Sequence, residues 1–369
     1  MIGTHEGLVG ELIPVNDPRW GLLVRDGDVF HWPAWASAHR GAGTPVLAAA
    51  GGVVAPVVLD GIVASSPPGF AGAYFTSDPF GPTRSLARVV GLLADEGVAA
   101  LYLRLHPLLG RDLPVSRVPG DVVVLSMPPP VVLDLASWDF GSMRSGHRRQ
   151  VAKAQEAGFT VKVFTGDRLA VAYFNGLHDE TMARVGGDSR HAPTMSEMAA
   201  VALPTAGLWS ARTVLCYAPD GLLAAGAVIL GFGARATYWW GATSDRFVGG
   251  RDPLARFAPL KLVLATAAQV CRADGYATLN LTGGMAHDDE LERFKLGFGG
   301  RRVTPNLALK VILDRPRYDK ACRAANVPSD PTGFFPPWRA PNRPLTSRTT
   351  GPDDPPTTQP HPEPECSPT

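Results

Sequence analysis

The sequence is poor in cysteine. Its four, Cys216, Cys271, Cys322 and Cys366, are scattered through 369 residues and form no C-x-x-C pair. Neither a thiolate metal site nor a disulfide framework is expected, which fits a reducing cytoplasm. Cys216 and Cys271 fall inside apolar runs and read as small core residues. Neither sign of charge is in excess. Lys and Arg number 35 against 34 Asp and Glu, a net charge of +1. No whole-protein field draws the chain to nucleic acid or to an acidic membrane, so a polyanion has to meet a local patch. The N-terminus lacks the basic start and apolar core of a signal peptide. No run approaches the ~18 apolar residues of a membrane helix. The most apolar stretch, TPVLAAAGGVVAPVVLDGIVA, carries two prolines, a glycine pair and an aspartate. It reads as two buried strands with a turn at Gly51-Gly52. There is no G-x-S-x-G nucleophile elbow. No H-x-x-x-H spacing occurs, so His147, His178 and His287 organise no metal site, and none is expected.

What is present is ordinary for a large globular core: 45% apolar and 19% charged residues. The length fits two domains. In the first half, to about residue 130, DVFHWPAWASAHR reads as the start of a helix. TRSLARVVGLLADEG is a helix with one apolar face, and VAALYLRLHP is a strand. The second half opens with a strand, PVVLDLASWD, and a basic helix closed by Gly158. Then come the strand FTVKVFTG and a helix whose N-cap is Asp167. A polar crossing leads to three antiparallel strands. They are joined at Pro219-Asp220-Gly221 and around Gly231–Gly233. A long helix follows, capped by Asp252 with Pro253 in its first position and running to Gly275. The strand YATLNLTGG, the short helix DDELERFKLG and a last strand NLALKVIL complete the order. A mixed sheet with helices on both faces is expected. From Pro328 to residue 369 proline, threonine and acids dominate. This tail is expected to be disordered, with GFFPPW able to dock locally.

Four stretches carry a resemblance. HRRQVAKAQEAGFTV places Arg149, Val151, Lys153 and Ala154 in an Arg-x-aliphatic-x-Lys-Ala pattern. FNGLHDETMARVG places Phe174, Leu177, Thr181 and Arg184. AAGAVILGFGARATYWWGATSD ends in Tyr238-x-x-Gly241. LNLTGGMAHDDELERFKLGFGG holds Gly283-Gly284 and Phe294-Lys295. In this order they resemble the FemAB-like branch of the GNAT acyltransferases, the peptidoglycan bridge-forming aminoacyltransferases and their relatives. The resemblance implies an α/β fold of two GNAT-like domains, here 1–130 and 131–327, with residues 328–369 as tail. It implies transfer of an aminoacyl group from aminoacyl-tRNA, or of an acyl group from another activated donor, to an amine. The amine belongs to a peptidoglycan precursor or a small metabolite. No tightly bound cofactor is implied, because the donor is a co-substrate.

The chemistry itself sets requirements. A neutral amine attacks an ester or thioester carbonyl, and the oxygen becomes an oxyanion. The protein must exclude water, orient the amine and supply a donor to the oxyanion. The family pattern gives Lys295, beside Phe294, that role or a contact to a donor phosphate. The bland alternative is a solvated helix lysine beside Glu292. Arg144, Arg148, Arg149 and Lys153 crowd one helix. Arg149 and Lys153, which match the family slots, are candidates for substrate phosphate, against a plain solvated face. Thr181, Arg184, Gly283 and Gly284 are carried over as substrate-binding positions. Strand alternation sends Tyr238 and Trp240 to one face, where Tyr238 is placed to orient the amine or protonate the leaving group. The alternative for both is core packing. In RFVGGRDP, Arg246, Gly249 and Gly250 partly match the Gly-rich loop that cradles the pyrophosphate of coenzyme A, with Arg251 in the last small position. Two other readings remain: a coenzyme A-dependent N-acetyltransferase, or a silent module binding a glycopeptide or RNA.

Overall fold

The computed structural model describes residues 10–75, 82–110, 117–186, 209–248 and 253–340. The strands of the first half are β1 (Glu11–Pro14), β2 (Thr44–Ala50), β3 (Val53–Asp60), β4 (Val63–Ser65), β5 (Tyr74–Phe75), β6 (Ala100–Arg104) and β7 (Asp121–Ser126). Then come β8 (Val131–Asp134), β9 (Thr160–Thr165), β10 (Trp209–Tyr217), β11 (Leu223–Phe232), β12 (Arg235–Thr243), β13 (Thr278–Asn280), β14 (Arg301–Arg302) and β15 (Leu307–Ile312). The helices are α1 (Arg19–Leu23), α2 (Pro33–Ala38), α3 (Pro82–Asp95), α4 (Ser145–Glu156), α5 (Arg168–Val185), α6 (Pro259–Ala273), α7 (Glu290–Leu296) and α8 (Arg315–Ala324). The architecture is α/β, two mixed sheets flanked by helices. One sheet runs β1-β2-β3-β4-β6-β15-β7, with β5 on β3; the other runs β14-β8-β13-β12-β11-β10-β9.

Local chemistry explains most of these elements. Leu86, Val89, Val90 and Leu93 recur at three and four along α3 and bury against the first sheet. Asp167 caps α5, accepting from Leu169 N at 2.8 Å and Ala170 N at 3.2 Å, and Gly186 ends it at φ +61°. One face of the second sheet packs on α4 and α6. Its other face packs on α5 and, from the first half, on Val29, Phe30, Trp35 and Phe70. A single apolar cluster thus joins both halves. Arg235 at the start of β12 adds a polar tie, donating to the carbonyls of Asp26, at 3.0 Å, and Gly27.

Three features differ from the sequence expectation. The last strand, β15, does not finish the second sheet. It lies between β6 and β7 of the first, antiparallel to both. Its sequence is apolar enough for either sheet, and periodicity carries no information on the partner. The long helix read from Pro253 is broken. A 3₁₀ turn spans Pro253–Phe257, Ala258 takes φ +47°, and α6 starts afresh with Pro259 in its first turn. Pro259 lacks the N–H a continuous helix would need, which forces the break. The proposed cap, Asp252, lies outside the described residues. Finally, residues 328–340 are not a free tail. Helix α8, which the sequence reading passed over, is capped by Asp314 through Arg317 N at 3.0 Å. Phe335 stacks on Tyr318 at 5.9 Å and Trp338 meets the same ring at 5.1 Å. The buried Lys310 ammonium donates to the carbonyls of Pro331 (2.8 Å), Thr332 (3.0 Å) and Gly333. The remaining residues, 341–369, lie outside the described set.

Truncation after Val327 strips Tyr318 of both rings and leaves the Lys310 ammonium without its three acceptors. It is expected to cost roughly 3 kcal/mol in urea denaturation. An unchanged midpoint would show that the segment rests on the fold without holding it.

Candidate active site

Strands β12 and β13 are parallel and pair only over Arg235–Thr237 against Thr278–Asn280. Beyond that β12 continues to Thr243 while β13 stops, so the two strands part and leave a fork. A β-bulge marks the same place. Val228 faces Trp240 and Ile229 faces Tyr238, which leaves Trp239 as the extra residue. The bulge reverses the strand's alternation. Ala236 and Tyr238 point to the α4–α6 face, whereas Trp239 and Trp240 pack on the α5 side. Tyr238 and Trp240 therefore do not share a face as strict alternation predicts. The Tyr238 hydroxyl lies over Gly241, where an added Cβ would come within 1.7 Å of it. That contact gives the Tyr-x-x-Gly spacing a physical reason.

Lys295 enters this fork from α7. It is 2% exposed, so the reading as a solvated helix lysine is overturned. Its ammonium donates to Thr282 Oγ1 at 2.7 Å and to the Gly283 carbonyl at 2.5 Å. It stands 5.8 Å from the centre of the Tyr238 ring. Burial pulls the Lys295 pKa down to about 8, with the Asp289 carboxylate acting weakly in the other direction. The Tyr238 phenol is pushed up by the same burial, so it stays protonated across the physiological range.

The segment around Lys295 is held in several ways. Asp289 caps α7, accepting from Met285 N (2.6 Å), Ala286 N (3.0 Å) and Glu292 N (2.7 Å). These backbone donors, that of Ala286 foremost, hold its carboxyl below the usual carboxylate range. Glu292 is fully buried, accepts from Asp288 N at 2.8 Å and pairs with Arg302. His147 of α4 bonds the Phe294 carbonyl at 3.0 Å through Nε2. Phe294 itself packs against the His147 and Phe298 rings, with Lys261 over its face at 5.9 Å. Thr282 adopts φ +62°, a conformation costly for a β-branched residue. At Gly283 a Cβ would sit 2.9 Å from the Pro128 carbonyl, and at Gly284 it would sit 2.2 Å from Asp289 Oδ1. The close approaches at this glycine pair are thus made by the protein's own atoms.

The other sequence candidates lie elsewhere. Thr181 Oγ1 donates to the Thr243 carbonyl and accepts from Thr243 N, both at 3.1 Å. Arg184 reaches the same carbonyl at 3.2 Å and pairs with Asp245. These two clamp α5 to the end of β12. Arg246 pairs with Asp220 and lies over the Phe247 ring at 5.2 Å. Gly249 and Gly250 lie outside the described residues. Arg149 is exposed on α4. Arg148 folds back to the carbonyls of Gly141, at 2.7 Å, and Met143. Lys153 lines a cavity of about 540 Å³ with Glu156, Ala157, Arg256 and Phe257. Arg256 was missed in the sequence, where it sits unmarked in RFAP. Asp289 was legible as an N-cap three residues before Glu292, whereas nothing in the sequence marks Thr282. Among the described residues no group of three or more His, Cys, Asp or Glu side chains is placed to hold a metal ion. No helix among them is long and apolar enough to cross a membrane.

The split parallel pair, the bulged strand and the buried lysine at the fork make up the candidate site. Residues 141–296 match the family described as an acetyltransferase (GNAT) domain, and the two-sheet fold is similar to that of FemX. The crystal structure of FemX superposes with a TM-score of 0.61 at 16% identity, covering 84% of this chain and 99% of that one. The C-terminal domain of a putative lysylphosphatidylglycerol synthetase from Agrobacterium fabrum gives 0.54 at 14% identity, covering 84% and 95%. L-PGS from Bacillus licheniformis gives 0.54 at 12%, covering 82% and 94%. At these identities the likeness is one of fold. No curated protein matches the chain in sequence.

A pKa of about 8 means that the folded site binds the Lys295 proton less tightly than the unfolded chain does. The penalty, on the order of 3 kcal/mol, is complete below pH 8 and disappears as pH rises towards the ordinary lysine range. Lys295→Met removes it, at the expense of about 1 kcal/mol for each donor bond lost to Thr282 and Gly283. At pH 7 the variant is expected to be at least as stable as the parent in chemical denaturation. A loss above about 2 kcal/mol would mark Lys295 as a structural pin instead.

Proposed function

We propose that the protein transfers an acyl or aminoacyl group to an amine at the fork between β12 and β13, with Lys295 as the charged hydrogen-bond donor to the developing oxyanion. One observation carries this reading: a lysine only 2% exposed, set between two parting strands and held there by Thr282 and Gly283. A buried ammonium is costly, and its cost is justified where negative charge develops in the transition state. The neutral amine attacks the carbonyl carbon, a C–N bond forms and the oxygen gains charge opposite Lys295. The C–O or C–S bond to the donor then breaks, and the amine's proton goes to the leaving group. In this reading the Tyr238 phenol, protonated and beside Lys295, hands on that proton.

A second cationic feature bears on the donor. The cavity holding Lys153 and Arg256 supports a phosphate-bearing donor, either acyl-coenzyme A or aminoacyl-tRNA. Arg149, exposed on the same helix as Lys153, widens that surface. The acceptor is an amine of a cell-wall precursor or a small metabolite. Free, buried Cys216, Cys271 and Cys322 support a reducing, cytoplasmic setting.

Incubation with labelled acetyl-coenzyme A and, separately, with charged tRNA, with and without RNase, is expected to move label into amines from one donor. No transfer from either would leave a silent binding module and defeat the proposal. The active form of Lys295 is the ammonium, so turnover is expected to fall as pH rises through about 8. Lys295→Arg, charged throughout that range, is expected to lose this alkaline limb while keeping part of the rate. A limb unchanged in that variant would belong to another group.

A further inference from the structure

Strand β6 ends on Arg104, on the face of the first sheet opposite α3. The arginine is half-buried, yet among the described residues no carboxylate pairs with it and its guanidinium makes no hydrogen bond. The Phe70 ring lies beneath it at 5.8 Å. Directly across the strand pair stands the small, buried Ala308. The contrast on the same face is instructive. Lys310, one pair further along opposite Tyr102, has its ammonium taken by three carbonyls. Other arginines of the fold, such as Arg184, Arg212 and Arg302, pair with acids. A half-buried guanidinium without an acid partner is open to an incoming anion. Burial pulls the Arg104 pKa down.

Two routes tie this arginine to the fork. Leu105 N bonds the Leu307 carbonyl at 2.9 Å, Asn306 Nδ2 donates to the Pro128 carbonyl at 2.7 Å, and that carbonyl abuts Gly283. On the other side Phe70 meets Phe30 at 5.7 Å and Phe30 meets Trp239 at 4.8 Å, next to Tyr238. Arg104 is thus linked by short chains of contacts to the Gly283 loop and to β12.

We propose that Arg104 binds an oxyanion, a carboxylate or a phosphate ester, carried by the same molecule whose amine is acylated at the fork. The planar guanidinium suits two-pronged recognition of either group, and the Phe70 ring shields one side of it from water. The inference rests on the amine-acylation reading for what the ligand does, but its binding is testable without turnover.

Four probes separate the anion and its source: L-lysine against cadaverine, which lacks the carboxylate, and O-phosphoethanolamine against ethanolamine. Affinities are read by NMR titration of the full chain. The anionic member of one pair is expected to bind about tenfold tighter or more, and which pair shows it identifies carboxylate or phosphate. Arg104→Gln is expected to abolish that preference, and Arg104→Lys to keep part of it. Should Arg104→Gln fail to fold by circular dichroism, Arg104→Lys decides alone: an undiminished preference would overturn the proposal. Equal affinities within both pairs in the parent protein, or a preference intact in Arg104→Gln, would also overturn it. An Arg104-dependent preference in a protein that transfers no acyl group would keep this site and remove the function proposed above.

Discussion

The two hydrogen bonds from the Lys295 ammonium, to the Thr282 hydroxyl and the Gly283 carbonyl, are the constraint around which the second half is arranged. They hold a charge in a place that water would normally occupy. Everything near them serves to keep that charge fixed. Asp289 caps α7 and ties the preceding loop to it. Glu292, buried against Arg302, fixes the outer side of the helix. His147 fastens it to α4. The strained Thr282 backbone turns its hydroxyl towards the ammonium. Such strain and burial lower stability, and they are the usual mark of a site in which polar groups are prearranged for a reaction.

The chain's crossing between sheets matters to this arrangement. β8 opens the second sheet beside β13, and β15 returns the chain to the first sheet between β6 and β7. The segments leaving β7 and entering β15 consequently run beside the Gly283 loop, where Asn306 and Pro128 meet. Arg235 and the shared cluster of Phe30, Trp35 and Phe70 hold the other side. The fork is therefore bordered by residues far apart in sequence.

Much of this was legible in the sequence, and the exceptions have definite causes. Amphipathic spacing marked α3, Gly158 marked the end of α4 and Asp167 the start of α5, because caps and periodicity are local. The position of Lys295 beyond a strand ending in Gly-Gly marked it as a candidate. Its burial was not legible, since one helix turn with acids on either side reads as solvated. The bulge at Trp239 is set by pairing with β11 and leaves no local trace, so alternation misplaced Trp240 relative to Tyr238. The pairing of β15 is likewise a tertiary choice. Thr181 and Arg184 look like substrate contacts in a motif, yet their side chains hold the end of β12. The break before Pro259 was written in the sequence and outweighed by a persuasive apolar repeat.

The central claim is that Lys295 is a desolvated, charged group at the fork. Its side chain titrates directly in a ¹³Cε-labelled lysine NMR experiment, with the resonance assigned by its loss in Lys295→Arg. The account expects a midpoint near 8, set by burial. A midpoint in the ordinary lysine range, about 10.4, would mean that the ammonium is solvated and the site as described does not exist.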